Sequence, residues 1–166
     1  MLFKKIIQKL EEKKIKYLII GGVAVNIHGY PRATGDLDLM ISFDQDNVGK
    51  FIDLVNELGY VPKAPVDIKE LSDPKIREYW KTEKNMQVFS VRDPKNEFDY
   101  IDIMIQDYLD FESVYKRRKI YSDDTMSISV ISIEDLISLK EIAGRGRDIL
   151  DLKILKDIRD KLNEKG

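Results

Sequence analysis

The chain has 166 residues, no cysteine, one histidine, and a formal net charge of −2 from 28 basic and 30 acidic side chains. That length predicts one domain over 1–166, able to bury a core without a metal or a disulfide, and zero cysteines exclude a disulfide scaffold, a zinc–thiolate centre and a cysteine nucleophile. No apolar run approaches the ~18 residues of a membrane span, the first residues lack the pattern of a signal peptide, and the expected compartment is the cytoplasm.

Leu2, Phe3, Ile6, Ile7 and Leu10 recur at three- and four-residue spacing and predict a first helix. Tyr17 to Ile20 is a short buried strand that ends at Gly21-Gly22. Val23 to His28 is a short helix, stopped by Gly29 and Pro31. Leu37 to Ile41 alternates with acids and predicts a second strand. Asp44 or Asp46 caps the next helix, whose core face is Val48, Phe51, Ile52, Val55 and Leu58, and Gly59 ends it. Residues 61–85 hold three of the five prolines among charges. They predict an irregular insertion with one helix from Pro74 to about Lys81, opened by Asp73. Strands over Met86 to Val91 and Tyr100 to Ile105 are joined by a turn around Asp93-Pro94-Lys95-Asn96. A helix over Phe111 to Arg117 and a strand pair, Lys119 to Tyr121 and Met126 to Ile131, follow. The C-terminal helices occupy 132–164. Ser132, with Asp135 three residues on, opens one that runs to about Ile142. Gly144 and Gly146 interrupt. A last helix covers Arg147 to Leu162, with Leu150, Ile154, Leu155 and Ile158 as its core face. The mixed order of strands and helices reads as α+β.

The chemistry starts at Gly21-Gly22. Two glycines between strand and helix either simply make the turn or also let a phosphate approach the amides. Asp36 and Asp38 stand two apart and share one face of a strand. They are either a solvated edge or a pair whose repulsion is relieved by a cation; Mg²⁺ prefers carboxylate oxygens together with substrate phosphates. Asp102, within Tyr100-Ile101-Asp102-Ile103-Met104-Ile105, faces opposite to Ile101 and Ile103, and Asp99 is the alternative at the start of that strand. If the two strands are neighbours, three carboxylates converge, which suits two metal ions ~3.5–4 Å apart.

Gly21-Gly22, thirteen residues, then Asp36-Leu37-Asp38-Leu39 resembles the signature of the DNA polymerase β-like nucleotidyltransferase superfamily. His28-Gly29, Pro31-Arg32 and Thr34 resemble its minimal prokaryotic subgroup, which contains abortive-infection toxin nucleotidyltransferases. Leu139-Lys140-Glu141-Ile142-Ala143-Gly144-Arg145-Gly146-Arg147-Asp148-Ile149-Leu150-Asp151-Leu152 is similar to that subgroup's C-terminal signature. The resemblance touches 18–41, 99–105 and 136–155. It implies a mixed-sheet nucleotidyltransferase core flanked by helices. It also implies roles: Asp36, Asp38 and Asp102 as catalytic metal ligands for two Mg²⁺ ions, replaceable by Mn²⁺, Gly21 and Gly22 as holders of the triphosphate, and Lys140 as its cation.

Other polar residues carry two readings each. Arg32 either contacts phosphate as a bidentate donor or pairs with Asp36. His28 is a ligand or, more ordinarily, a hydrogen bonder at a helix end. Arg145, Arg147, Asp148 and Asp151 form an ion-pair knot that pins the last helix, with Arg145 the one expected to face nucleotide. Lys116-Arg117-Arg118-Lys119 is a solvated face or an RNA contact. Tyr79 and Trp80 stack on a base or anchor their segment to the core. Charged residues make up 35% of the chain, above the usual ~25%, which fits a heat-adapted protein with ion-pair networks.

The expected reaction is transfer of a nucleoside monophosphate from a nucleoside triphosphate to an acceptor hydroxyl, with pyrophosphate released. The acceptor is a tRNA end or other RNA, a partner protein or a small molecule such as an antibiotic. The alternative is a catalytically inactive nucleotide- or RNA-binding module, part of a toxin–antitoxin pair. A metal-dependent phosphohydrolase is disfavoured, because its usual histidine-rich ligand set cannot be built from one histidine.

Overall fold

The architecture comes from a computed structural model, which describes residues 3–144, 146 and 148–166. Seven strands form one sheet: β1 (Tyr17–Ile20), β2 (Leu37–Ile41), β3 (Val61–Pro62), β4 (Val88–Arg92), β5 (Tyr100–Met104), β6 (Lys119–Ser122) and β7 (Ser127–Val130). Their spatial order is β3-β4-β5-β2-β1-β7-β6. β1 and β2 are antiparallel, whereas β2 with β5 and β1 with β7 are parallel. The sheet is therefore mixed and the fold is α+β, as the sequence predicts.

Alternation decides what each side of the sheet does. Leu37, Leu39 and Ile41, then Ile101 and Ile103, then Phe89 and Val91 lie at alternate positions, all at most 2% exposed. They make one continuous dry face. The intervening residues of β2, β5 and β4 include Asp38, Asp102 and Ser90, which are only half-buried. One end of the second face is thus left polar.

Helices close the core around the sheet. α1 (Lys4–Glu12) buries Ile6, Ile7 and Leu10 along one stripe and packs against β7 and α3; Leu2 lies outside the described residues. α2 (Gly21–Ile27) lies on β1 and β2. It begins at Gly21 rather than Val23, because the glycine pair itself makes its first turn. α3 (Gln45–Leu58) is capped by Asp44, which accepts the Asn47 amide at 2.8 Å, and ends on Gly59 at φ 72°. Asn47 is 4% exposed, and its side-chain amide donates to the Ser42 and Lys16 carbonyls and accepts from the Lys16 amide. A buried amide with every partner satisfied fixes where α3 meets the ends of β1 and β2.

In residues 61–85 the predicted helix opened by Asp73 is present, and the rest is more regular than the sequence predicts. Val61–Pro62 form β3 at the sheet edge, a 3₁₀ turn follows over Ile68–Ser72, and α4 runs over Pro74–Thr82. Proline is tolerated in β3 because an edge strand need not donate on its outer side. Leu71 is fully buried, and Trp80 is 5% exposed and stacks on Phe89 at 5.3 Å. Those two apolar residues, among many charged ones, draw the segment into the core. α5 (Phe111–Lys116) and α6 (Ile133–Ala143), the latter capped by Ser132, fall where expected. In α7 (Asp148–Lys165) Leu155 and Ile158 of the predicted core face are inward, but Leu150 is not. Leu150 is 57% exposed, whereas Asp148, Asp151 and Leu155 are buried, so the first turn of α7 faces inward with acids.

The Trp80–Phe89 stack is the main apolar tie between 61–85 and the sheet. Trp80→Ala is expected to cost about 3 kcal/mol or more, read as a lower urea midpoint. A loss under about 0.5 kcal/mol would place the segment outside the cooperative core.

Candidate active site

Strand register brings the acids together. Asp38 on β2 lies opposite Asp102 on β5 across a parallel pair, and opposite Ile20, the last residue of β1, on the other side. Asp36 directly precedes β2 and is exposed. All three acids line one cavity of about 670 Å³, together with Gly21 and Gly22. Arg32, Lys140 and Asp148 line the same cavity. Arg145 and Arg147, both singled out in the sequence, lie outside the described residues.

The Asp102 carboxyl is set by its surroundings. Burial pushes its carboxyl above the usual carboxylate range, and the charge of Asp36 pushes the same way. Ser90, its cross-strand partner on β4, donates to Oδ1 at 2.5 Å and opposes the shift, as does Lys63. Asp99, the alternative acid, is occupied by a hydrogen bond from the Tyr60 hydroxyl at 2.6 Å.

Three carboxylates on one wall are a hard-oxygen donor set that fits Mg²⁺ or Mn²⁺. Among the described residues, no three His, Cys, Asp or Glu side chains are gathered tightly enough to hold an ion alone. A cation here would complete its ligands from substrate phosphate and water, the usual habit of Mg²⁺.

The glycine pair is required by close packing. Gly21 has φ +64°, and a Cβ there would lie 2.7 Å from Cγ of Asp38. A Cβ on Gly22 would lie 2.6 Å from the Thr34 hydroxyl. Any side chain at either position would displace an acid or the loop that carries Asp36. The turn reading of the pair is therefore sufficient to explain both glycines, and their backbone still lines the cavity.

The two cations of the cavity are both engaged. Lys140, 6% exposed on α6, sits 3.0 Å from Asp148 and 3.1 Å from Asp151 of α7. Arg32 Nη2 donates to the same Asp151 Oδ2 at 2.9 Å. Arg32 pairs with Asp151 and not with Asp36, the partner in one of its two sequence readings, and its backbone N–H donates to the Asn26 side chain of α2. The knot expected among 145–151 therefore includes Lys140 and Arg32, a link that sequence reasoning missed. The available signal was the i, i+3 spacing of Asp148 and Asp151, which puts both acids on one face of α7.

Several of the remaining candidates are engaged within the fold. His28 Nε2 lies 2.7 Å from the Ile131 carbonyl; a carbonyl only accepts, so Nε2 carries the proton. Burial lowers its pKa and keeps the ring neutral. Arg117 makes a two-pronged ion pair with Asp135, and Arg118 stacks on Tyr115 at 3.9 Å. Half of the basic run is thus committed within the fold. Trp80 is an anchor, while Tyr79 is 51% exposed.

No protein-family model matches the sequence, and no curated protein matches it. Solved structures do. The lincosamide antibiotic adenylyltransferase LnuA, with lincomycin bound, superposes with a TM-score of 0.58 at 20% identity over 95% of each chain. The antibiotic-resistance factor ANT(2″)-Ia superposes at 0.56 and 13% identity, over 99% of this chain and 90% of its own. A nucleotidyltransferase-like protein from Paracoccidioides brasiliensis superposes at 0.55 and 18% identity, over 93% of this chain and 73% of that one. Likeness at such identities is of the fold, which this chain shares with these solved structures over 93–99% of its length.

A neutral buried His28 predicts the sign of one pH effect. Its folded pKa lies below the unfolded value of ~6.5, so the unfolded chain takes the proton first and stability falls as pH drops through that window. The difference in melting temperature between wild type and His28→Gln is expected to shrink from pH 7.5 to about 5.5. A difference that widens on acidification would contradict a neutral ring.

Proposed function

We propose that the chain is a metal-dependent nucleotidyltransferase that moves a nucleoside monophosphate from a nucleoside triphosphate to an acceptor hydroxyl. The observation that carries this reading is the register of Asp38 with Asp102 on parallel neighbouring strands, with Asp36 beside them in one cavity. A binding-only phosphate pocket has no use for three acids at its wall, since each repels the ligand.

Asp36, Asp38 and Asp102 would hold the divalent cations, Mg²⁺ or Mn²⁺. When bound, such cations neutralise charge that builds on the phosphoryl oxygens of the transition state. Ser90 holds Oδ1 of Asp102, and Asp102 would complete the metal site and help activate the acceptor hydroxyl. Gly21 and Gly22 present backbone to the phosphates. Lys140 and Arg32 supply positive charge in the same cavity. The sequence adds Arg145 as a further nucleotide contact.

For the acceptor we favour a small hydroxyl compound. LnuA was solved with lincomycin and ANT(2″)-Ia with adenylyl-2″-tobramycin, and both span nearly the same length as this chain. An RNA end or a partner protein would require a basic or docking face, and the basic run at 116–119 is half spent on internal ion pairs and stacking.

Label transfer tests the reaction. Protein, Mg²⁺ and each α-³²P nucleoside triphosphate are incubated with a lysate and, separately, with its small-molecule fraction. Label in an acceptor is expected with wild type and is expected to fall by at least about 10³-fold in Asp36→Ala/Asp38→Ala. Survival in the small-molecule fraction supports the favoured acceptor; sensitivity to ribonuclease or protease would reassign it. Metal-dependent nucleotide binding without any labelled acceptor would favour the inactive binding module. A second expectation concerns stability. Asp36 adds to the repulsion felt at Asp102, so Asp36→Asn in EDTA is expected to keep or raise the melting temperature. A large drop would assign Asp36 a structural role.

A further inference from the structure

We propose that Asp151 is a positioning residue that holds Arg32 and Lys140 as a pair aimed at the outer phosphates of the nucleotide, and so sets how strongly the site tells a triphosphate from a monophosphate. This inference rests on the nucleotidyl-transfer reading above.

One carboxylate oxygen does the work. Asp151 Oδ2 is 2.9 Å from Nη2 of Arg32 and 3.1 Å from Nζ of Lys140. The two cationic nitrogens are therefore no more than about 6 Å apart, a separation at which unshielded like charges repel strongly. Shared ionic hydrogen bonding removes that repulsion and fixes both side chains in one geometry. Asp151 is 3% exposed and does not line the cavity, whereas Arg32 and Lys140 do. It stands behind the cations and touches them without reaching the ligand space.

The cations retain donors for a ligand. Lys140 has three N–H groups, of which the acids account for two. Arg32 has five, of which Nη2 donates to Asp151 and Nη1 to the Ala33 carbonyl. Arg32 Nη2 also lies 3.4 Å from where a Cβ on Gly22 would sit, so the pair borders the glycine turn. In this reading the outer phosphates of a nucleotide held at the acids are the groups that meet Lys140 and Arg32, and a monophosphate lacks them.

The test reads selectivity for phosphate number, which a purely structural residue would not alter. ATP, GTP, CTP and UTP are titrated with Mg²⁺ by calorimetry, and the tightest is followed as its tri-, di- and monophosphate. Wild type is expected to bind the triphosphate at least about tenfold tighter than the monophosphate. In Asp151→Asn that ratio should narrow to about threefold or less, with the monophosphate changed less than about twofold. Asp151→Glu, which keeps the charge, should restore most of the ratio. Arg32→Gln, on a partly exposed loop, should narrow it too and serves if Asp151→Asn does not fold. Equal weakening of all three nucleotides would overturn the proposal in favour of a structural role. An unchanged ratio in Asp151→Asn or in Arg32→Gln, or a tighter triphosphate in Asp151→Asn, would overturn it as well. If wild type binds no triphosphate, the transferase reading itself fails and takes this inference with it.

Discussion

The parallel pairing of β2 with β5, in the register that sets Asp38 against Asp102, is the constraint on which the site depends. Parallel strands place directly paired residues on the same face at a fixed spacing. A slip of one residue would send Asp102 into the dry layer with Ile101 and Ile103 and bring those apolar side chains into the cavity. The dry face therefore enforces the register, and the register gathers the acids. Gly21 follows from the same arrangement, since the carboxylate of Asp38 occupies the space that any Cβ there would need. Ser90 follows as well: β4 pairs with β5 so that Ser90 stands opposite Asp102 and can donate to it.

Much of this was legible in the sequence because it is local. Period-two alternation marks β2 and β5, the glycine pair marks the end of β1, and Asp44, Ser132 and Gly59 mark helix ends by their own chemistry. The shared face of Asp36 and Asp38 needs only strand geometry. Their convergence with Asp102 was conditional on which strands are neighbours, and that is settled by the packing of distant segments. The same limit applies to residues 61–85. Three prolines and many charges read as irregular, yet Leu71 and Trp80 outweigh them, since burying two large apolar side chains stabilises by several kcal/mol.

The partners of Arg32 and the first turn of α7 were not legible for a different reason. Helical periodicity picked Leu150 as a core position on the rule that apolar residues turn inward. Here the first turn of α7 is turned so that Asp148 and Asp151 face in and Ile149 and Leu150 face out. A periodicity rule has no means of anticipating that, because the stabilising contacts are ionic and come from Lys140, eight residues or more away, and from Arg32, more than a hundred away.

That inversion bears on what the cluster is for. Two cations about 6 Å apart repel by about 3 kcal/mol at an effective dielectric of ~20, and each acid that offsets this must itself be taken out of water. Buried ion networks are commonly no more stabilising than apolar side chains of the same volume, and often less. The first turn of α7 exposes Ile149 and Leu150, while Asp148 and Asp151 share the buried face with Leu155 and join Lys140 and Arg32 in one cluster beside the cavity. Stability alone is a weak reason for that cluster. It is favoured if the positive ends of Lys140 and Arg32 have to be held, already paired and in place, where a polyphosphate arrives.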